Sequence, residues 1–186
     1  MQINWYPGHM AKAKREMERM IKVSDVAVEI VDARAPLSTR NPDLDKMLGA
    51  KPRVIILNKE DLADNNLTRA WQQYFSDRGW NAVSFCAKKQ GGREKLLHAI
   101  QRAAQPLIDR WAQKGANKIV RVMVSGIPNV GKSSIINCLS GGQRAKTGAT
   151  PGVTRGKQWV RLSPTLELLD TPGILWPKLE DEQGAK

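Results

Sequence analysis

The segment GIPNVGKSS, residues 126–134, constrains the fold of this chain more than any other stretch. It stands between an apolar strand pattern, IVRVMVSG, and a helical pattern, and it contains the spacing Gly-x-x-x-x-Gly-Lys-Ser. The glycines let the backbone curl so that several N–H groups point inward at phosphate oxygens, and the positive end of the following helix faces the same place. The segment predicts an α/β protein with a phosphate-binding loop. The alternative is a glycine-rich turn that binds nothing.

The side chains of this loop predict how a nucleoside triphosphate would be held. Lys132 is expected to reach the β and γ phosphates, and the Ser133 hydroxyl to ligate Mg²⁺. Alone, the loop does not indicate which base is bound. The expected nucleotide contacts within it are Asn129, Val130, Gly131, Lys132, Ser133 and Ser134.

The base is indicated by Asn58-Lys59-Glu60-Asp61, which follows the apolar strand pattern RVIILN. A carboxylate at Asp61 can accept hydrogen bonds from N1–H and the exocyclic amine of guanine, and adenine lacks that pair of donors. Asn58 would brace the site and touch the base edge, while the stem of Lys59 would cover one face of the ring. The alternative is a charged strand-to-helix turn, which is common in α/β proteins.

Cys86-Ala87-Lys88 ends the next strand pattern, NAVSFCA. It is similar to the short Ser-Ala-Lys signature in which a backbone N–H, here that of Ala87, donates to guanine O6. A match over three residues is weak evidence on its own. Its place one strand after the motif at Asn58 makes it a candidate third part of a guanine site.

Asp170-Thr171-Pro172-Gly173 ends the last strand pattern. Asp170 is expected to hold Mg²⁺ through water, and the Gly173 N–H to bind the γ-phosphate. Thr154, in the glycine-rich segment 140–157, is the hydroxyl expected to complete the Mg²⁺ shell. The alternatives in that segment are Thr150 and Thr147.

The order of these motifs is rotated. The guanine motifs come first, and the phosphate loop, the threonine segment and Asp-x-x-Gly follow, whereas the usual order begins at the phosphate loop. A circular permutation explains this, with KGANK (114–118) as the joint between the former termini. Alternation of strand and helix patterns predicts a six-stranded, mostly parallel sheet covered by helices on both faces.

Two further patterns predict helices that pack on this sheet. Met10, Met17, Met20 and Ile21 recur on one face of the first helix, which indicates core packing. Asn41 followed by Pro42 predicts a helix start, with an N-cap and a proline in the first turn.

Six segments resemble the bacterial ribosome biogenesis GTPase A family of circularly permuted GTPases (the RbgA or YlqF type): WYPGHM, DARAPLSTRNP, LNKEDL, GIPNVGKSS, PGVTRGKQW and LLDTPGILWPK. The resemblance implies a circularly permuted P-loop GTPase domain over residues 1–186, without the family's helical C-terminal RNA-binding domain. It implies Mg²⁺-dependent hydrolysis of GTP to GDP, slow without the ribosomal particle, in late assembly of the large (50S) subunit. The implied partners are the precursor of that subunit and its rRNA.

The group that activates water is left open. Ile174, which cannot form hydrogen bonds, stands where many GTPases place a glutamine directly after Asp-x-x-Gly. His9 could swing toward the γ-phosphate, and its imidazole suits a base or water-positioning role near neutral pH; alternatively, it caps the first helix. His9, Lys132 and Thr154 form the expected catalytic set.

Asn129 matches the position that ligates K⁺ in potassium-stimulated GTPases. A monovalent cation there could neutralise charge as an arginine finger does. The alternative is an asparagine that fits the tight turn.

Composition bears on partners and location. The formal net charge is +12, and no Asp or Glu occurs between Arg110 and Leu166, so polyanions such as RNA would be attracted; the alternative is ordinary solvated charge. No apolar run approaches the ~20 residues that span a bilayer. The N-terminus is too polar for a secretory signal. We therefore expect a cytoplasmic protein with no membrane partner.

We also expect the protein to be monomeric. Its two cysteines, Cys86 and Cys138, are expected to be free thiols, which suits a reducing compartment.

Two other functions remain open. The first is a binding module in which the nucleotide only orders a ribosome-docking surface, and Ile174 favours it. The second is an ATP-dependent kinase or ATPase, which fits the phosphate loop but not Asn58 and Asp61.

Overall fold

The computed structural model describes residues 7–141 and 158–170 of the 186-residue chain. In these ranges the helices are α1 (Pro7–Val23), α2 (Leu44–Leu48), α3 (Asn65–Asp77), α4 (Gly92–Gln113) and α5 (Lys132–Ser140). The strands are β1 (Val26–Asp32), β2 (Arg53–Asn58), β3 (Asn81–Phe85), β4 (Val120–Ser125), β5 (Gln158–Ser163) and β6 (Leu166–Asp170). Within these ranges no helix is both long enough and apolar enough to cross a bilayer.

The strands form one six-stranded sheet in the order β3-β2-β1-β4-β6-β5. All neighbouring strands are parallel except β5 and β6, which form an antiparallel hairpin. The carboxyl ends of β1, β2, β3, β4 and β6 therefore meet at one edge, which is where open α/β sheets bind ligands. The predicted mostly parallel six-stranded sheet is confirmed.

Apolar strands and amphipathic helices explain how the sheet is covered. Every residue of β1 and β2 is buried, as continuous apolar runs predict for strands packed on both faces. On one face, α4 and α5 pack in a cluster with Val28, Ile56 and Leu96. On the other, α1 and α2 pack around Met17, and α3 packs through Phe75. The prediction of helices on both faces is confirmed.

One charged cluster is buried on the second of these faces. Glu29, in the middle of β1, is 1% exposed, and its carboxylate lies 3.0 Å from the guanidinium of Arg40. The guanidinium of Arg53 contacts Asp45 and lies 4.1 Å from the ring centroid of Trp80. Because a buried carboxylate is costly unless it is paired, these contacts hold the loop that follows β1 against the sheet.

The first helical pattern is confirmed, since Met17, Met20 and Ile21 are buried. The predicted helix start at Asn41 and Pro42 is wrong, because α2 begins at Leu44. The side-chain oxygen of Asn41 accepts a hydrogen bond from the Asp43 N–H at 3.1 Å, so Asn41 closes a turn before the helix.

Candidate functional site

The phosphate loop joins β4 to α5 through two residues with left-handed backbone. Asn129 has φ 71° and Gly131 has φ 96°. At the other end of the loop, Gly126 lies so close to Val130 that a Cβ on the glycine would stand 2.8 Å from Val130 Cγ2. The backbone therefore arches tightly over the first turn of α5, as a loop that presents N–H groups to an anion requires.

The guanine motif contacts this loop directly. Asn58 donates a buried hydrogen bond from Nδ2 to the Val130 carbonyl at 2.7 Å, across 72 residues of sequence. Lys59 donates from Nζ to the Asn129 carbonyl at 2.7 Å. The contact is possible because only β1 separates β2 from β4 in the sheet. The structure thus brings the end of the second strand and the phosphate loop into one continuous site.

Gly131→Ala tests this junction. A Cβ at position 131 would overlap Asn58 Nδ2, and φ 96° is strained for any L side chain. We expect the substitution to displace Asn58 and to weaken nucleotide binding at least tenfold, with a stability loss of about 1–3 kcal/mol. Titration with a fluorescent guanine nucleotide and thermal unfolding measure the two effects.

Gly49→Ala is the matched control, because Gly49 has φ 56° and a Cβ added to it would meet no heavy atom within 4 Å. It shares the backbone strain without the overlap, so it should lower stability and leave nucleotide affinity unchanged. Equal affinities of the Gly131→Ala and Gly49→Ala proteins would contradict the junction.

Lys132 and Ser133 begin α5. Burial lowers the pKa of the Lys132 ammonium, as expected for a cation withdrawn from water within a tight loop. Ser133 and Ser134 are exposed. A partly buried ammonium at a helix N-terminus, with hydroxyls accessible beside it, suits a bound anion.

A third loop meets the guanine motif. The carboxylate of Asp61 lies 3.7 Å from the ammonium of Lys88, and Glu60 lies 3.2 Å from that of Lys89. Burial is the largest influence on Glu60 and acts to raise its pKa, yet hydrogen bonds from Ser84 and Lys89 hold the pKa below its usual value. These pairs hold the Asn58–Asp61 turn beside the loop that begins after β3.

The Cys86-Ala87-Lys88 segment forms the start of that loop. Because β3 ends at Phe85, the three residues lie just beyond the strand instead of completing it as predicted. Cys86 is a buried free thiol, whereas Ala87 and Lys88 are exposed. The Ala87 backbone is therefore available at the sheet edge that carries the other two motifs.

No sequence motif assigned a role to Asp32 and Arg34, which the structure brings to the same edge. Arg34 binds the Asp32 carboxylate with two side-chain hydrogen bonds, at 3.0 and 2.8 Å. Asp32 also lies 3.7 Å from the ammonium of Lys59. The sequence signal available was a charged pair at the end of a mostly apolar strand pattern that also contains Glu29.

Comparison with known proteins gives consistent results. Residues 121–186 match the sequence family described as 50S ribosome-binding GTPase. The chain is 46% identical over 183 residues to ribosome biogenesis GTPase A of Bacillus cereus, covering 98% of this chain and 62% of that protein. The Thermotoga maritima protein of the same name is 37% identical over 180 residues, covering 97% and 62%. Over nearly its whole length, the chain is similar to proteins named ribosome biogenesis GTPase A.

Solved structures show the same similarity. The crystal structure of GNP-bound YlqF from T. maritima has a TM-score of 0.65 at 32% identity, covering 91% of this chain and 60% of that one. The GDP-bound YlqF structure gives 0.63 at 30% identity, covering 87% and 59%. The fold is a circularly permuted P-loop GTPase fold. The chain spans less than two thirds of the length of these relatives.

Several predicted site residues lie outside the described part of the chain. Thr154 and Gly173 belong to the undescribed ranges, as does Ile174. Asp170 ends β6, the parallel neighbour of β4, so its backbone reaches the edge that carries the phosphate loop; its side chain is not described. His9 lies in the first turn of α1, and its side chain is likewise outside the description.

The described residues fit part of a Mg²⁺ site. Residues 7–141 and 158–170 hold no group of three or more His, Cys, Asp or Glu side chains suited to a metal ion. Of the predicted set Ser133, Thr154 and Asp170, only the Ser133 side chain is described, and it is exposed at the start of α5. A hydroxyl oxygen at this place is a donor that Mg²⁺ accepts when phosphate oxygens supply further ligands.

Proposed function

We propose that this chain binds GTP and GDP and hydrolyses GTP in an Mg²⁺-dependent reaction, as the GTPase domain of a protein that acts in late assembly of the large ribosomal subunit. The carrying observation is the buried hydrogen bond from Asn58 to the Val130 carbonyl, at 2.7 Å. It joins a turn suited to guanine to a loop suited to phosphates. The names of the relatives, ribosome biogenesis GTPase A, support the cellular role.

The residues proposed to bind the base come from two loops at one edge of the sheet. Asp61 would accept hydrogen bonds from guanine N1–H and the amine, and the Ala87 N–H would donate to O6. The Lys59 stem would lie over the ring, since its ammonium is held 2.7 Å from the Asn129 carbonyl. Adenine offers Asp61 no such pair of donors, which costs binding because a bound base would cover the carboxylate without hydrogen-bonding to it.

The phosphates would lie in the loop between β4 and α5. Its N–H groups, the helix N-terminus and Lys132 would stabilise charge that develops on the phosphate oxygens as the bond breaks. Ser133, Thr154 and Asp170 are the residues proposed to hold Mg²⁺. When bound, Mg²⁺ neutralises charge on the β and γ phosphates.

A competition experiment tests base selection. Unlabelled GTP should displace a labelled guanine nucleotide at concentrations at least 10³-fold below those that ATP requires. Equal displacement by ATP would sink the proposal and favour an ATP-dependent enzyme.

His9 is proposed to position or activate the attacking water. α1 has 17 residues, a length of about 25 Å at ~1.5 Å per residue, and it ends at Val23 near the start of β1. Its packing through Met17 and Met20 on β1 and its neighbours supports a course back along the sheet, with His9 toward the carboxyl edge.

We expect His9→Ala to lower single-turnover GTP hydrolysis by roughly 10²-fold, the lower end of the contribution of a positioned proton-transfer group. The affinity for GDP should stay within twofold. His98→Ala is the matched control, since His98 is exposed on α4. Identical rates for the two variants would remove His9 from the mechanism.

A K⁺ ion beside Asn129 is proposed as well. Asn129 is exposed, and its backbone is left-handed, with φ 71°. The alternative is an asparagine that only fits the tight turn, and the cation dependence of hydrolysis distinguishes the two. Faster hydrolysis in KCl than in NaCl at equal ionic strength supports the ion, and equal rates contradict it.

The proposed partners are the large-subunit precursor and its rRNA, met by a monomer in the cytoplasm. The net charge of +12 supports binding to a polyanion, and exposed Arg110, Lys114 and Lys118 cluster where α4 leads into β4. Titrating GTP hydrolysis with large-subunit precursors should raise turnover. Ile174 favours the second candidate, a nucleotide-ordered binding module, and an unchanged rate in the presence of bound particles would support that module.

A further inference from the structure

The end of β1 lies between the two halves of the nucleotide site. Asp32, its last residue, stands opposite Asn58 in the parallel register of β1 and β2. The next N–H, of Ala33, donates to the Asn58 carbonyl at 2.8 Å. The neighbour of β1 on its other side is β4, which leads into the phosphate loop. Any charged group at the end of β1 is therefore close to both motifs.

Lys59 is the residue that spans these halves. Its backbone is left-handed, with φ 62°, and its ammonium lies 2.7 Å from the Asn129 carbonyl and 3.7 Å from Oδ2 of Asp32. The Lys59 side chain is only 31% exposed, so water solvates its ammonium only in part. A neutral carbonyl alone would leave a flexible cation without a counter-charge, and Asp32 supplies it.

Arg34 fixes the orientation of that carboxylate. Its guanidinium donates to both oxygens of Asp32, and its backbone N–H donates to Oδ1 at 2.9 Å. The side-chain hydrogen bonds from Arg34 are the largest influence on Asp32 and hold its pKa below the usual value, so the carboxylate is charged at neutral pH. A fork of two parallel hydrogen bonds leaves the carboxylate little freedom to rotate.

We propose that Asp32, oriented by Arg34, is a positioning residue of the guanine site that holds the Lys59 ammonium at the Asn129 carbonyl. The Lys59 stem then lies over the base, and the base-reading turn is locked to the phosphate loop before nucleotide arrives. This inference rests on the proposed function, since it concerns the same guanine site. Preorganisation of this kind raises affinity because less side-chain freedom is lost on binding.

The alternative is that Asp32 serves only the fold of its own loop. Its backbone N–H donates to the Thr39 hydroxyl at 2.9 Å, and that hydroxyl donates to the Ala35 carbonyl at 2.8 Å, so the loop has contacts of its own. These contacts do not involve the Asp32 carboxylate. The carboxylate also accepts the Arg34 backbone N–H at Oδ1, so a substitution that keeps this acceptor oxygen and removes the charge separates the two roles.

A double-mutant cycle provides the test, with Asp32→Asn and Lys59→Met made singly and together. Asn keeps the shape of the Asp side chain, and Met keeps an apolar stem without the ammonium. We expect Asp32→Asn to raise the Kd for GDP about tenfold in the wild-type background and less than twofold in the Lys59→Met background. Single-turnover hydrolysis at saturating GTP should change less than the Kd for GDP does, because the Asp32–Lys59 pair is expected to act mainly through binding of the base.

Asp45→Asn is the matched control. Asp45 also pairs with arginines, Arg40 and Arg53, but these pairs lie in the charged cluster under the loop after β1 and not in the nucleotide site. It should lower thermal stability as much as Asp32→Asn does and leave the Kd for GDP unchanged. If Asp32→Asn does not fold, Arg34→Gln removes the fork and keeps the carboxylate, and its effect on the Kd, about threefold, should likewise vanish with Lys59→Met.

The outcomes separate this inference from the proposed function. Equal effects of Asp32→Asn in both backgrounds, or no effect in either, would overturn the positioning role even though the wild-type chain binds GDP. Failure of the wild-type chain to prefer GDP over ADP would instead overturn the proposed function, and the inference with it.

Discussion

Lys132→Ala is expected to reduce GTP hydrolysis by roughly 10³-fold or more, the largest catalytic loss that one substitution in this chain should cause. Lys132 is the first residue of α5, and burial lowers the pKa of its ammonium, which is thus held partly away from water. In such a place a cation stabilises developing phosphate charge more than it would in solvent. Alanine would leave this stabilisation to the backbone N–H groups and to Mg²⁺. Single-turnover rates with saturating protein measure the loss.

Lys118→Ala controls for the loss of one positive charge. Lys118 is exposed just before β4 and contacts the ring of Trp111, 5.1 Å from its centroid, away from the phosphate loop. Its hydrolysis rate should stay within twofold of the unmodified chain. A rate for Lys132→Ala within tenfold of that control would remove the lysine from the reaction and leave the loop as a binding element only.

Much of the fold was predictable because its strands are bounded apolar runs. RVIILN was predicted as a strand and forms β2, and the last strand pattern, which ends at Asp170, forms β6. The helix start at Asn41 and Pro42 was not predictable in the same way. The Asn-Pro pair fits either a helix start or a turn. In the structure the Asn41 side-chain oxygen accepts a hydrogen bond from the Asp43 N–H at 3.1 Å, which closes a turn.

Only those residues of the candidate site that belong to a recognised motif could be predicted from the sequence. Spacing and motif order placed Asn58 and the phosphate loop in one site, but they gave no means to choose the Val130 carbonyl as the acceptor of the Asn58 amide. Asp32 and Arg34 escaped prediction because their importance depends on β1 lying between β2 and β4. Strand order is a property of the whole sheet, and no short segment of sequence encodes it.

The buried charged cluster links the fold to the candidate site. The Glu29–Arg40 pair, 3.0 Å apart, holds the loop after β1 against the sheet, and Arg40 also reaches Asp45 at 2.6 Å. The same loop follows Asp32, the last residue of β1, and contains Arg34. The cluster is costly to bury, and it fixes the conformation of the loop after β1 next to the candidate site. Fixing one conformation is one role that buried ion pairs have in proteins.

Asp61→Asn is expected to exchange the base that the site prefers. Asp61 can accept two hydrogen bonds from guanine, whereas an asparagine can accept one and must donate the other. Xanthine has a carbonyl where guanine has its amine, so it offers the acceptor that the asparagine amide needs. We expect the Kd for GDP to rise by roughly 10³-fold and the variant to bind XDP more tightly than GDP. Competition between the two nucleotides for one fluorescent probe measures the ratio.

Asp64→Asn is the control for this exchange. The Asp64 side chain caps α3 by accepting the Leu67 N–H at 3.0 Å, and asparagine caps helices as well as aspartate does. It should leave both stability and base preference unchanged. Because the Asp61 carboxylate lies 3.7 Å from the Lys88 ammonium, Asp61→Asn also removes that ion pair. Loss of the pair alone would weaken binding of both nucleotides equally, so a variant that still prefers GDP over XDP would show that Asp61 does not read the base.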